Sequence, residues 1–291
     1  MASSKNKILI LLFIAAILSS NFVYAESKPV EEALENVKDG VSDLVTAKDE
    51  KDSLSFPLRA ETFKRVVELS LSEAQELKLK LLAFDSITTS SLVGNWRNEM
   101  IQDLNEALSY YEGQKELKNE PQTIGEVKAL AQGFKTWREE NYLPLANETN
   151  EFLLVKQEEK AIEVALKRSK KINEDLLKLQ KSKILAITKN LGQLNKLLLK
   201  ADSLIGESKK QNEAAYQLFL DSLETTSTVP APTPLLLPRA ESGTSTASST
   251  IPSDDVPLLS IKDLIKVSLS KIKEAYQVFI EMSSLVRKLL G

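Results

Sequence analysis

The chain has neither histidine nor cysteine among its 291 residues. That removes the usual general base near neutral pH, the usual zinc ligand and every Ser-His or Cys-His nucleophile pair. What remains is carboxylate, lysine, serine and tyrosine chemistry. The clearest acidic pair, Glu139-Glu140, is adjacent in sequence, and neighbours on a helix do not share a face, so no acid-base pair suited to glycoside hydrolysis emerges. No phosphate loop, glycine-rich turn or metal-ligand cluster is present in the sequence. These residues imply no catalytic site, no cofactor and no metal, hence a non-enzymatic protein.

Charge is the next chemical feature. Residues 26–155 hold 15 basic and 25 acidic side chains, whereas residues 156–210 hold 14 basic and 7 acidic. A basic rod suits an anionic partner, yet acids are interspersed, and Glu163 with Lys167 and Glu174 with Lys178 sit four apart in the favourable order. A solvated or internally neutralised face is therefore the preferred reading. No aromatic residue lies between Val155 and Lys210, so a stacking platform for single-stranded nucleic acid is absent there, and no nucleic-acid partner is expected. Asn147-Glu148-Thr149 matches a glycosylation acceptor, a pattern common by chance.

These side chains must be carried by helices. Residues 1–25 combine Lys5 and Lys7 with the apolar run 8–18 and end Val23-Tyr24-Ala25. They read as a secretory signal peptide cleaved near Ala25, with retention as an anchor the alternative. An exported location follows: periplasm, cell surface or medium. Of 38 basic and 41 acidic residues, cleavage removes two lysines and no acid, leaving a mildly acidic chain. Without cysteine, an exported fold must hold by packing alone.

Val30, Leu34, Val37, Val41 and Leu44 form a first stripe; Phe63, Val67, Ala74, Leu77, Leu81 and Phe84 a second; Val93, Trp96, Met100, Leu104 and Tyr111 a third. Thr123-Ile124-Gly125-Glu126 has the spacing of a capping box and opens a fourth helix through Val127, Leu130, Phe134 and Trp137, which Pro144 ends or kinks. Residues 145–224 contain no proline and read as one very long helix, with a break near Gly206 the alternative. The stripe through Ile162, Ala165, Ser169, Ile172, Leu176 and Leu179 and the stripe through Ile187, Leu191, Leu194, Leu198, Ala201 and Ile205 differ in phase by one position, which argues against a single dimeric coiled coil.

Residues 225–257 contain thirteen Ser or Thr and six of the ten prolines and read as a flexible linker. Leu258, Ile261, Ile265, Ser268, Ile272, Ala275, Phe279, Met282, Val286 and Leu289 then repeat in steps of three and four, a heptad seam that demands a partner helix. Ala215-Tyr216-Gln217-Leu218-Phe219 returns sixty residues later as Ala275-Tyr276-Gln277-Val278-Phe279, so the end of the long run and the terminal helix look duplicated. The aromatic residues fall on the stripes, where core anchoring is the better reading.

The expected fold is all-α: an elongated helical bundle over 26–224, a linker over 225–257 and a C-terminal amphipathic helix over 258–291. The candidate packing or interaction residues are Tyr216, Phe219, Ile265, Ile272, Tyr276, Phe279 and Val286. The expected function is that of an exported structural or protein-interaction protein, engaging a protein partner or a second copy through the C-terminal helix. Binding to a membrane or to anionic lipid is the less favoured alternative, since no mature stretch is apolar enough to insert.

Overall fold

The computed structural model describes residues 28–46, 52–84, 91–116, 121, 123–181, 185–227 and 260–290. Residues 1–25, read from the sequence as a signal peptide, and most of the Ser/Thr/Pro-rich segment, 228–259, lie outside the described residues. Among the described residues there is no strand, and the fold is all-α. The helices are α1 (Lys28–Thr46), α2 (Asp52–Leu82), α3 (Ser91–Lys115), α4 (Ile124–Trp137), α5 (Leu143–Lys181), α6 (Leu185–Ser227) and α7 (Ile261–Leu290), with a π turn, Arg138–Tyr142, joining α4 to α5. Counting α4, the π turn and α5 as one path gives six rods. The chain divides into two compact units, Met1–Asn150 and Glu151–Gly291.

In the first unit successive rods run antiparallel. Thr62 Oγ1 donates to the Gly40 carbonyl at 3.3 Å and Arg65 Nη1 to the Asn36 carbonyl at 3.0 Å, so α2 returns along α1. Arg97 on α3 donates to the carbonyls of Leu81 and Leu82 at 3.0 and 3.1 Å, which satisfies two of the acceptors left open at the α2 C-terminus. Val37, Val67, Leu81, Leu104, Tyr111 and Phe134 form the apolar centre. α2 begins at Asp52 and takes Pro57 inside it.

Thr123, in extended conformation, accepts from the Glu126 backbone N–H at 3.2 Å, the N-cap bond that the capping-box spacing predicts. Pro144 does not end the path. The turn before it opens to π geometry, with the Leu143 N–H reaching the Arg138 carbonyl. Proline has no N–H for an i→i−4 bond and its ring crowds the carbonyl four residues back, so a wider turn ahead of it relieves that clash.

The second unit is a three-helix assembly. Ser169 on α5 donates to Asp202 on α6, and Phe152 meets Phe219 with ring centroids 5.4 Å apart. Rising numbers on α5 thus meet falling numbers on α6, and the 145–224 run is two antiparallel helices. The change of hydrophobic phase marks the passage from one to the other, and α6 runs through Gly206 unbroken. α7 packs antiparallel to α6, because Ser268 touches Ser208 while Ile272 to Met282 share a core with Leu194 to Ile205. α6 also extends to Ser227, past the expected start of the linker at 225.

The register repeats by heptads. Glu158, Ser208 and Ser268 meet at one level. Seven residues along each helix, about 10 Å by helical rise, Ala165, Ala201 and Ala275 are all fully buried. Three small side chains share this level of the core, while Ile162, Ile205 and Ile272 fill the turn between the two layers.

Candidate functional site

Two buried polar clusters and one open groove hold the chemistry-bearing residues. The first cluster lies on the π turn. Arg138 points into the first unit, donating through Nη1 to Ser70 Oγ at 2.5 Å and through Nη2 to Glu73 Oε2 at 2.5 Å. Its guanidinium carbon stands 5.0 Å from the Tyr142 ring centroid, and the Tyr142 and Tyr111 rings meet edge-on at 5.6 Å. Burial is the largest single influence and opposes the Arg138 charge, but the Glu73 carboxylate together with the Tyr111 and Tyr142 hydroxyls outweighs it and holds the guanidinium above its ordinary value. Burial also pushes the Tyr111 and Tyr142 hydroxyls up, so both stay protonated at neutral pH. The cluster is closed and internally neutral. Its chemistry is that of a structural lock, since a group that reacts must be reached by substrate.

The second cluster joins the three helices of the second unit. Ser268 Oγ lies 2.7 Å from Glu158 Oε1, 2.7 Å from Ser208 Oγ and 3.0 Å from the Ser208 carbonyl oxygen. Ser208 Oγ is 3.4 Å from the same Glu158 oxygen. All three residues are buried. Burial raises the Glu158 pKa, and the two serine hydroxyls only partly offset this.

The third feature is open. A groove of about 740 Å³ runs between α5 and α6, lined by Leu166, Lys170 and Leu177 on one wall and Asn195, Leu199 and Asp202 on the other. Leu177 and Leu199 are 50% and 68% exposed. Among the described residues no group of acidic side chains could hold a metal ion, and no helix is long and apolar enough to cross a membrane.

The seven residues singled out from the sequence all lie on helix-packing faces of the second unit. Phe219, Ile265, Ile272 and Phe279 are buried, and Val286 packs partly buried against the core. Tyr216 and Tyr276 are half-buried, with Lys156 Nζ 4.4 Å from the first ring centroid and the Arg168 guanidinium carbon 5.3 Å from the second. The structure thus gives each copy of the duplicated Tyr-x-x-Phe segment a cationic lid from α5.

The Arg138–Glu73 lock escapes sequence reading because its partners are 65 residues apart and each looks like an ordinary surface charge. A signal for the second cluster exists: Ser208 and Ser268 extend the sixty-residue echo, and Ser268 is the one polar position in an otherwise apolar seam. No family model matches this chain, and neither a curated protein nor a solved structure matches it.

Proposed function

We propose that this protein is an exported, non-enzymatic helical scaffold or interaction protein, working through a protein partner or a second copy. The observation that carries this reading is the set of outward apolar side chains on the second unit: Leu177, Leu199 and Ile280 are 50%, 68% and 60% exposed on helices whose inner faces are already packed. α7 turns its seam inward and still carries Val267 and Leu269 at its surface. Apolar groups at such positions gain from being covered, by about 25 cal/mol for each Å² removed from water.

The test is the state of the full chain isolated from its native source. A stoichiometric protein partner, or a mass of two copies by light scattering, supports the reading. A bare monomer at every concentration sinks it. Export is tested by the N-terminal residue of the mature chain, expected to be Glu26.

A second reading rests on the basic excess of residues 156–210 beside the same exposed leucines, a combination that also suits an anionic lipid surface. Flotation with vesicles of anionic phospholipid, lost at high salt, would favour it; failure to float with any composition removes it.

A further inference from the structure

We propose that Glu158, Ser208 and Ser268 form a proton-controlled latch that sets how firmly α7 is seated on α5 and α6. The proposal goes beyond the interaction reading and does not depend on any partner.

The geometry permits two complete hydrogen-bond patterns. Each serine carries one hydroxyl hydrogen. With Glu158 ionised, Ser208 donates to Ser268 Oγ at 2.7 Å and Ser268 donates to Glu158 Oε1 at 2.7 Å. With Glu158 protonated, the carboxyl O–H donates to Ser268 Oγ across the same 2.7 Å, Ser208 still donates to Ser268 Oγ, and the Ser268 hydrogen turns to the Ser208 carbonyl oxygen at 3.0 Å. The direction of donation reverses and no heavy atom needs to move. The two states differ in charge: the first buries a carboxylate between three helices, and the second buries a neutral acid.

Among the described residues no cation compensates the carboxylate; only the two serine hydroxyls face it. The charged groups on the neighbouring turns are engaged at the surface, in the pairs Lys156–Glu159, Lys271–Glu207, Lys209–Glu213 and Lys266–Asp263. A buried charge held only by hydroxyl dipoles is costly, and that cost vanishes when α7 lifts and water reaches the site. Undocking therefore favours the ionised form, and docking favours the protonated one.

Burial raises the Glu158 pKa in the docked state, and a raised value fixes the sign. The seat is firmest below the ordinary carboxylate range and weakens as pH rises through the docked-state value. Exposed carboxylates keep their charge between pH 5 and pH 8, so this window isolates the latch.

The test is hydrogen exchange of the α7 backbone amides in the full chain, as protection factors corrected for intrinsic rates. Protection should be greater at pH 5 than at pH 8. The α2 amides, in the other unit, serve as the control and should not follow the same pH dependence. Glu158→Gln, whose amide can donate to Ser268 as the protonated acid does, should hold α7 at the firmer level at both pH values. Ser268→Ala, which breaks both patterns, should lower α7 protection throughout. Equal α7 protection at the two pH values in the native chain, or a pH dependence that survives in Glu158→Gln, overturns the latch.

Discussion

Arg138 and Glu73 meet at 2.5 Å with side chains only 5% and 3% exposed, and this one pair ties the π turn to the middle of α2. Ser70, one turn earlier on α2, takes a second nitrogen of the same guanidinium. Removing Glu73 takes the carboxylate away from a buried guanidinium. Glu73→Gln should lower the stability of the first unit by about 3–5 kcal/mol, read as a lower midpoint in urea. Replacing both residues together, Glu73→Leu with Arg138→Met, should cost clearly less than the sum of the single changes. An additive double mutant would mean that the two groups are not coupled.

The antiparallel pairing of α6 and α7 can be checked by covalent chemistry, because the chain has no cysteine of its own. Ser208 and Ser268 stand with their hydroxyl oxygens 2.7 Å apart. The double variant Ser208→Cys, Ser268→Cys should form an intrachain disulfide on mild oxidation, seen as a mobility shift reversed by reductant. Parallel helices offset by several turns could not bring these two positions together, so a failure to form the intrachain bond, with both thiols accessible on unfolding, would refute the register.

Much of this fold is written in periodicity. The stripes through Val30 and Val37, through Phe63 and Val67, and through Ile272 and Phe279 all turn inward as their spacing demands, because an amphipathic helix gains most of its stability from covering that face. The passage from α5 to α6 was visible as the slip of hydrophobic phase after Leu179, yet the polar residues around Gly206 looked the better place for a break. They are accommodated inside α6 because Ser208 is satisfied by Ser268 and Glu158, contacts a local window cannot show. Arg138 was hidden for a similar reason: charge alone does not reveal whether a partner 65 residues away removes it from water. Exposed apolar side chains such as Leu199 are invisible to a pattern that records hydrophobicity without the direction of the face.

The glycines divide by their surroundings, and this yields opposite outcomes for one substitution. A Cβ on Gly40 would lie 3.1 Å from Thr62 Oγ1 and 3.4 Å from the Arg65 side chain, whereas one on Gly206 would meet nothing within 4 Å. Both sit within helices, where alanine is favoured over glycine by about 1 kcal/mol. Gly206→Ala should deliver that gain as a higher melting temperature. Gly40→Ala should deliver little or none of it, because Thr62 must give way, and Gly40→Val should destabilise by roughly 1–3 kcal/mol. Equal stabilisation by alanine at the two sites would show that α1 and α2 do not approach so closely at Gly40.

The alanine layer of the second unit makes a sharper demand on volume. Ala165, Ala201 and Ala275 are each fully buried, one heptad from the Glu158, Ser208 and Ser268 level on their respective helices. A leucine at Ala201 adds three carbons at a position that is already fully buried. Ala201→Leu should cost about 1–3 kcal/mol, measured by chemical denaturation of the full chain. Ala214→Leu, at an exposed position on the same helix, should stay within about 0.5 kcal/mol of the native chain. If Ala201→Leu were as neutral as Ala214→Leu, the three helices would have to be spaced well apart at this level, and the heptad register that aligns the alanines with the serine layer would be wrong.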